Sequence, residues 1–328
     1  MYNRELIKRF ISDYKLPIPL ISEETFFYHI DLYEEDYGSR SKYQKLLETI
    51  ETKYNGNCED FLADYYKVRE RIITSVLENE AYQRFNTMDM APYSIKSKPS
   101  ISSNSIYNQE NVGKFFISID LKKANFQTLR NIDKDILFGA DTYEDFVGLY
   151  SNLDYIKNSK YTREVVFGKM NPKRHITAEK FFITQIYDKI LELKPTLNGK
   201  AVSLSNDEII FDVEFLLYND KLTCFKFRED IETLCKELGF EVHVSFFHLK
   251  GYLLKTKKSG RIVTPFYYKE HFCTDTNFKL NCIPLNYHAV AYKLFKGMEL
   301  SDNDYHFNYE GLDAVFSEEF ILEELNKQ

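Results

Sequence analysis

Residues 115–120, Phe-Phe-Ile-Ser-Ile-Asp, and residues 205–211, Ser-Asn-Asp-Glu-Ile-Ile-Phe, decide the fold that the sequence predicts. In each stretch an apolar run of strand length meets a turn, and Asp120, Asp207 and Glu208 stand at that junction. Asp120 and Asp207 are 87 residues apart, so only the fold can bring their carboxylates together.

The segments around these stretches predict a β-α-β-β-α-β order, from apolar residues at helical spacing and from short apolar runs bounded by turn residues. The predicted strands are 114–119, 201–204, 209–215 and 240–247, and the predicted helices are 142–150, 176–193 and 227–238. This order is typical of an α+β protein with a ferredoxin-like, split βαβ sheet. Its third strand lies between the first two and antiparallel to both, so the three carboxylates are expected to converge on one edge of the sheet.

The chain divides into four predicted regions by the spacing of its apolar residues. They are a helical N-terminal region at 1–90, a loop or linker at 91–113, a palm-like catalytic domain at 114–250 and a small α/β extension at 251–328. The first region is predicted to contain helices at 41–54 and 59–79. The last is predicted to contain a hairpin over 251–268 and helices at 287–295 and 317–325.

Composition is typical of a globular protein, with 44% hydrophobic residues in a chain of 328. The N-terminus has no apolar signal-like segment, and no stretch approaches the roughly 18 apolar residues of a membrane span. The five cysteines form no C-x-x-C pair, which argues against a zinc ribbon. These features predict a cytoplasmic protein without a membrane partner, and a virus-encoded protein acting in a host cytoplasm fits them equally. The oligomeric state is left open.

The net charge of −7 conceals a segregation of charge along the chain. Residues 157–180 hold seven basic and two acidic side chains, residues 250–269 hold six basic and no acidic ones, and the last thirty residues hold nine acids and one lysine. Such segregation can focus a positive field on one face of an acidic protein. The cations predicted to clamp a nucleic-acid backbone there are Lys255, Lys257, Lys258 and Arg261. Two solvated faces without a partner are the alternative.

The three carboxylates predict a site for two Mg²⁺ or Mn²⁺ ions, which need several hard oxygen ligands. In this arrangement Asp120 and Asp207 bridge the metals, the carbonyl of Leu121 adds a ligand, and Glu208 binds or supports the catalytic metal. The alternative is that Asp120 is only a turn residue and that 205–208 is only a polar hairpin tip. The convergence of three acids on one sheet edge favours metal binding.

The two stretches resemble the catalytic palm of nucleotidyltransferases, and two families match best: the tRNA-His guanylyltransferase-like reverse polymerases and the Y-family DNA polymerases. Both have an aspartate that ends a strand and a later Ser-x-Asp-Glu or Ser-Asp-Glu hairpin, as at 115–120 and 205–208. The guanylyltransferases also have a Gly after the first aspartate, a downstream Phe and a Lys-Pro-Phe-Asp-x-Arg-like segment. Phe126 and residues 169–174, Lys-Met-Asn-Pro-Lys-Arg, are counterparts of the last two, while the Gly has none.

This resemblance covers residues 114–250 and implies transfer of a nucleotide from an NTP or dNTP to an RNA or DNA end. Cations near the predicted catalytic edge are then candidates for triphosphate contacts. Lys173 and Arg174 come first because they precede the long helix, where backbone N–H groups favour phosphate. Further candidates for these contacts are Lys160, Arg163 and Lys169. A solvated basic loop is the alternative for each.

Three further residues follow the first carboxylate closely. Lys122 and Lys123 are predicted either to contact phosphate or to relieve repulsion among the acids. Phe126 is predicted either to form a wall of the sugar or base pocket or to join the core.

The sequence leaves three functional classes open. The first is a metal-dependent nucleotidyltransferase or polymerase that uses a two-metal mechanism. The second is a non-catalytic ferredoxin-like module that binds nucleic acid, although no RRM-type aromatic motif is found. The third is a decayed palm that serves as a scaffold in a viral or mobile-element assembly, against which the retention of three acids argues. The direction of synthesis and the need for a template are not decided.

Overall fold

A computed structural model of the chain describes residues 3–19, 22–95, 101, 106–213, 221–273 and 278–325. Its helices are α1 (Arg4–Tyr14), α2 (Glu23–Leu32), α3 (Glu34–Tyr37), α4 (Ser39–Tyr54), α5 (Cys58–Glu78), α6 (Glu80–Thr87), α7 (Ala124–Ile132), α8 (Tyr143–Gly148), α9 (Asp154–Lys157), α10 (Lys160–Gly168), α11 (Pro172–Leu193), α12 (Lys221–Glu237) and α13 (His288–Phe295). Its strands are β1 (Phe115–Leu121), β2 (Ala201–Leu204), β3 (Glu208–Asp212), β4 (Val242–Thr256), β5 (Ile262–Phe272), β6 (Leu280–Asn281), β7 (His306–Tyr309), β8 (Leu312–Val315) and β9 (Phe320–Glu324). The α+β class and the helical N-terminal region are confirmed.

The main sheet has the strand order β2-β3-β1-β4-β5-β6, and each neighbouring pair is antiparallel. β3 lies between β1 and β2, which is the neighbour relation that the sequence predicts. In the β1–β3 register Asp120 lies directly opposite Glu208. The turn that carries Asp207 therefore lies beside the end of β1.

The two faces of the sheet differ because side chains alternate along a strand. Ile117, Ile119 and Leu121 of β1 join apolar side chains of α11 and α12 in one buried cluster. The alternate residues of β1 lie on the opposite face, where Phe116 belongs to a smaller apolar cluster and Asp120 borders open clefts. The helices thus cover one face and leave the carboxylate end of the other accessible.

The largest buried cluster joins regions that the sequence analysis separates. It contains Phe10 and Tyr65 from the N-terminal helices, Phe146 from the segment between β1 and α11, and Tyr292 of α13. Many of its aromatic rings pack edge to face, as in the Phe61–Tyr155 pair with centroids 5.6 Å apart. Much of the chain's aromatic content therefore serves packing rather than base stacking.

The predicted linker packs on the domain that it precedes. Tyr93 lies edge-on to Phe181 at a centroid distance of 5.3 Å, and Ile106 is buried on the side of the sheet that carries Phe116. Residues 96–100 and 102–105 lie outside the described residues. Across the described ranges, no helix has both the length and the apolar character needed to cross a bilayer.

The prediction of a helix at 317–325 is wrong, because this segment forms β9. The first half of β4 pairs with β1, and β9 pairs antiparallel with its second half on the same edge. Phe320, Ile321 and Leu322 form a short apolar run in which Phe320 is buried, and Glu323 and Glu324 at its end are exposed. Pairing with an edge that β1 leaves uncovered outweighs helix propensity here. The predicted hairpin over 251–268 and the helix at 287–295 are confirmed.

The same pairing brings the acidic C-terminal segment onto the basic hairpin. Lys257 Nζ lies 2.6 Å from Glu319, Arg261 lies 3.3 Å from Glu318, and Lys255 pairs with Glu323. Lys258 is exposed at the turn. Three of the four cations predicted to clamp nucleic acid are thus paired with carboxylates, and the two charged segments offset each other instead of forming separate faces. A nucleic-acid backbone would have to compete with these carboxylates for the cations, and the clamp stays a prediction.

Replacing Gly239 by alanine should destabilise the fold by about 2–4 kcal/mol, through left-handed strain and the loss of a hydrogen bond. Gly239 has φ +84°, and an added Cβ would lie 2.2 Å from Asn131 Oδ1. Asn131 cannot simply move away, since its Nδ2 donates to the Gly239 carbonyl at 2.9 Å. Gly199→Ala is the matched control, because its φ is +72° and nothing lies within 4 Å of the added Cβ. Urea unfolding that gives equal losses for both variants would contradict the steric argument.

Candidate active site

The turn between β2 and β3 is organised by the hydroxyl of Ser205. It accepts a hydrogen bond from the Glu208 backbone N–H at 2.9 Å and donates one to Asp207 Oδ1 at 2.8 Å. A hydroxyl that bonds to nearby backbone stabilises a turn of this kind. The serine in the Ser-Asn-Asp-Glu stretch therefore fixes where both acids stand.

The end of β1 is joined to this turn through its backbone. The Leu121 N–H donates to the Asp207 carbonyl at 2.7 Å. Directly opposite residues in an antiparallel pair have Cβ atoms about 5 Å apart, which applies to Asp120 and Glu208. The backbone therefore places all three acids at one edge of the sheet, as the sequence predicts.

The side chain of Glu208 is held by two donors on the open face of the sheet. Ser118 Oγ donates to its Oε1 at 2.6 Å, and Lys269 Nζ of β5 lies 3.1 Å from the same oxygen. The Lys269 side chain is only 17% exposed, so this ion pair is shielded from water more than an ordinary surface pair. Lys269 thus offsets part of the negative charge of the site.

Burial and the remaining negative charge together change the titration of Asp120. Burial, followed by the neighbouring charges of Glu208 and Asp207, raises the pKa of Asp120 to about 7, while Lys269 and Lys160 act in the opposite direction. Two nearby carboxylates disfavour a third charge in a partly buried position. A bound cation would reverse this effect by favouring the ionised form.

A cleft of about 650 Å³, here called the first cleft, opens on the helix side of Asp120 and Asp207. Cationic side chains from three separate segments line it: Lys123, Lys160, Arg163 and Lys180. Glu164 and Glu179 are the other acids in its lining. With Asp120 and Asp207 counted, four acids and four cations line this cleft, and Lys160 and Arg163 are the two cations that share one helix, α10.

A second cleft, of about 710 Å³, opens over the uncovered face of the sheet. It shares Asp120 and Asp207 with the first cleft, so both acids lie where the two meet. Its other lining residues are Tyr107, Ser118, Lys122, Glu208, His243, Ser245, Lys269, His271, Lys279 and Asn281. Aromatic, imidazole and ammonium groups together suit a nucleic-acid strand or a base.

The donor set fits a hard divalent cation in chemistry. Asp120, Asp207 and Glu208 supply carboxylate oxygens, and Mg²⁺ is bound by one or two carboxylates together with water and substrate phosphates. Yet among the described residues no three His, Cys, Asp or Glu side chains are already gathered about one metal position. Glu208 is instead engaged by Ser118 and Lys269. A cation would have to compete with these donors for the carboxylate.

Three of the residues predicted to contact phosphate lie outside both clefts. Arg174 donates to the Met88 carbonyl and lies over the Phe85 ring, while Lys169 and Lys173 are exposed and do not line either cleft. Two of the four cations in the first cleft come from α10, which carries the secondary candidates Lys160 and Arg163. The start of α11 therefore contributes none of the cationic side chains that line the first cleft.

The three predicted site residues that follow Asp120 lie in different environments. Lys123 pairs with Glu144 and also lines the first cleft, whereas Lys122 lines the second. Phe126 is only 2% exposed and packs near Tyr143 in the core, so it does not wall either cleft.

Glu179 of α11 was not predicted as a site residue. It is 7% exposed, and burial together with the charge of Asp207 raises its pKa to about 7. Its position four residues before Ile183 places it on the buried face of the helix, and an acid on an apolar helix face was the signal that could have identified it.

Comparison of the chain with protein-family models, curated proteins and solved structures gives no significant match. The chemistry of the two clefts is therefore argued from their residues alone.

Proposed function

We propose that the protein is a metal-dependent nucleotidyltransferase that transfers a nucleotide from an NTP or dNTP to the end of a nucleic acid. The observation that carries this proposal is the position of Asp120 and Asp207 at the junction of two clefts. One cleft has cationic side chains that can contact a triphosphate, and the other has side chains that can contact a strand. The reacting groups of two substrates would meet at these carboxylates.

The topology supports the assignment of a ferredoxin-like polymerase palm. The order β2-β3-β1-β4, with α11 and α12 on one face, agrees with the split βαβ arrangement that the sequence predicts. The likeness of the two carboxylate stretches to nucleotidyltransferase palms adds a chemical reason for the same assignment. Fold alone would not carry a function.

The proposed mechanism assigns each cleft one reactant. Lys160 and Arg163 hold the β- and γ-phosphates in the first cleft, and the acceptor end lies in the second with its hydroxyl directed at the α-phosphate. A bond forms between that hydroxyl oxygen and the α-phosphorus while the bond to the departing pyrophosphate breaks. The hydroxyl proton passes to solvent or a nearby base. Two Mg²⁺ or Mn²⁺ ions, held by Asp120, Asp207, Glu208 and the Leu121 carbonyl, would neutralise the charge that develops on the oxygens.

Lys160→Gln should raise KM for the nucleoside triphosphate by roughly tenfold or more, because it removes a phosphate contact from the first cleft. Lys173→Gln removes the same charge from an exposed position outside the cleft and should change KM by less than about twofold. Steady-state kinetics with labelled nucleotide compares the two variants. A larger effect of Lys173→Gln would indicate that the triphosphate binds at the start of α11, and would contradict the proposal that it binds in the first cleft.

A second candidate function is favoured by the engagement of Glu208 with Lys269, which leaves the acids without a ready metal position. In that case the open sheet face, with Tyr107 and His243, binds nucleic acid without chemistry. Incubation with Mg²⁺ or Mn²⁺, labelled NTPs and dNTPs, and primed and unprimed RNA and DNA separates the two functions. Label transfer supports the enzyme, whereas salt-sensitive binding without transfer supports the binding module.

A further inference from the structure

A third cavity, of about 650 Å³, lies in the N-terminal helical region away from Asp120. Four cations line it, and they come from two helices: Arg4, Lys8 and Arg9 from α1, and Arg69 from α5. Among the described residues Glu5 is the one carboxylate in its lining, and it accepts a hydrogen bond from the Tyr66 hydroxyl at 2.8 Å. We call this cavity the N-terminal cleft. Its lining has an excess of three positive charges.

The arginine nearest the core is buried against an aromatic ring, and one of its donors has no partner within the described residues. Arg9 is 8% exposed, and its guanidinium carbon lies 3.9 Å from the centroid of the Tyr161 ring. The closest carboxylate oxygen, Asp13 Oδ1, is 3.9 Å from Arg9 Nε, and this Nε has no hydrogen-bond partner within the described residues. A buried guanidinium with an unpaired donor is costly unless an anion completes its surroundings.

Asp13 does not complete the pairing because other groups use its oxygens. Tyr65 and Tyr155 donate to it at 2.8 Å each, and Ser159 donates at 2.7 Å. Arg69 also has one unpaired donor: its Nη2 donates to Glu70 Oε1 at 3.4 Å, but its buried Nε has no partner in the described chain. The protein therefore collects positive charge here and neutralises only part of it.

The N-terminal cleft is separated from the first cleft by a single helix. Tyr161 of α10 lines the N-terminal cleft, while Lys160 and Arg163 of the same helix line the first cleft. Lys15 lies between the two, since its Nζ pairs with Glu164 and lies 5.7 Å from the Tyr161 ring centroid. One helix diameter is about 10 Å, a distance that a few nucleotides of a strand can cover.

We infer that the N-terminal cleft binds the phosphodiester backbone of a single-stranded nucleic acid that extends past α10. A strand repeats its phosphates along its length and can therefore meet cations on α1, α5 and α10 together, which one small anion cannot do. Arginine is suited to this role because its planar guanidinium gives bidentate contacts to phosphate oxygens. The inference concerns binding and holds whether or not the proposed transfer reaction takes place.

The test measures binding of labelled single-stranded RNA and DNA oligonucleotides across a range of salt concentrations. The variant is Arg4→Gln with Lys8→Gln, since both side chains are exposed and their replacement leaves the core intact. The matched control is Lys45→Gln with Lys53→Gln, two exposed lysines of α4 that do not line the cleft. The cleft variant should lose roughly tenfold in affinity, and its salt slope should fall by about 1.4, from about 0.7 for each phosphate contact on a single strand.

Other outcomes overturn the inference. They are absence of oligonucleotide binding by the wild type, equal behaviour of the cleft and control variants, and displacement of the oligonucleotide by inorganic phosphate at constant ionic strength. The cleft variant could instead lose binding to phosphatidylserine vesicles while its oligonucleotide binding is unchanged. That result would also overturn the inference, because the cleft would then be a membrane-binding site. Asp120→Asn separates this inference from the proposed function, because that variant should lose transfer and keep the salt-dependent binding.

Discussion

Asp120→Asn and Asp207→Asn should each lower nucleotide transfer by roughly 10³-fold, since the stabilisation that a metal provides in the transition state is worth several kcal/mol. Both acids lie where the two clefts meet, so each borders both proposed substrates. Asparagine keeps the shape of the side chain and removes its charge. Label transfer from radioactive NTP or dNTP, followed on denaturing gels, measures the loss.

The control for this experiment is Asp188→Asn. Asp188 lies on α11, the helix that carries Glu179, but it is exposed and lines neither cleft. This variant should transfer at the wild-type rate. Transfer that persists in both Asp120→Asn and Asp207→Asn would exclude the two-metal mechanism at this site.

The metal-free wild type should be less stable at pH 8 than at pH 5, by about 2–3 kcal/mol from Asp120 alone, because about two units separate pH 5 from the folded pKa at 1.36 kcal/mol for each unit. Burial and the charges of Glu208 and Asp207 raise the pKa of folded Asp120 to about 7, against an ordinary value of 3.8. Between these values the folded state keeps a proton that the unfolded state has released. Stability therefore falls as pH rises through this window and changes no further above about 7.

Urea unfolding with EDTA at pH 5 and pH 8 measures this difference for the wild type and for Asp120→Asn. The variant cannot ionise at position 120, so its two free energies of unfolding should lie closer together, with the remaining slope due in part to Glu179, whose pKa is also raised to about 7. Mg²⁺ or Mn²⁺ at pH 8 should raise the Tm of the wild type more than that of the variant. An equal pH dependence in the two proteins would show that Asp120 is not held in a strained electrostatic environment.

The sheet edge that carries the three carboxylates could be predicted because each sequence pattern that indicates it lies within a few residues. The apolar run that ends at Asp120 and the Ser-Asn-Asp-Glu turn each identify a strand end within a few residues. The right-handed crossover rule then limits how those ends can be arranged. Asp120 and Glu208 consequently stand opposite each other, as the sequence indicates.

The partners of that edge could not be predicted because they depend on contacts between distant segments. The sequence names Lys160 and Arg163 only as further candidates, because their position in the first cleft depends on the packing of α10 against the N-terminal helices, where the Tyr65 hydroxyl hydrogen-bonds to Thr162. β9 forms because the second half of β4 has an uncovered edge, and no local pattern at 317–325 reports that edge. The propensity of a segment depends on its own residues, whereas these positions depend on the distant segments that pack against it.

The two-part pairing of β4 has a consequence for synthesis of the chain. β9 follows the other eight strands in sequence, so the ribosome releases β4 and β5 before β9 exists to cover the second half of β4. During that interval an exposed strand edge can template pairing with another nascent chain. Lys255 and Lys257, at the end of that strand, would repel a second copy of the same edge, and the later arrival of Glu323 and Glu319 removes the repulsion. The basic hairpin can thus act as a gatekeeper against aggregation while the acidic segment completes the sheet.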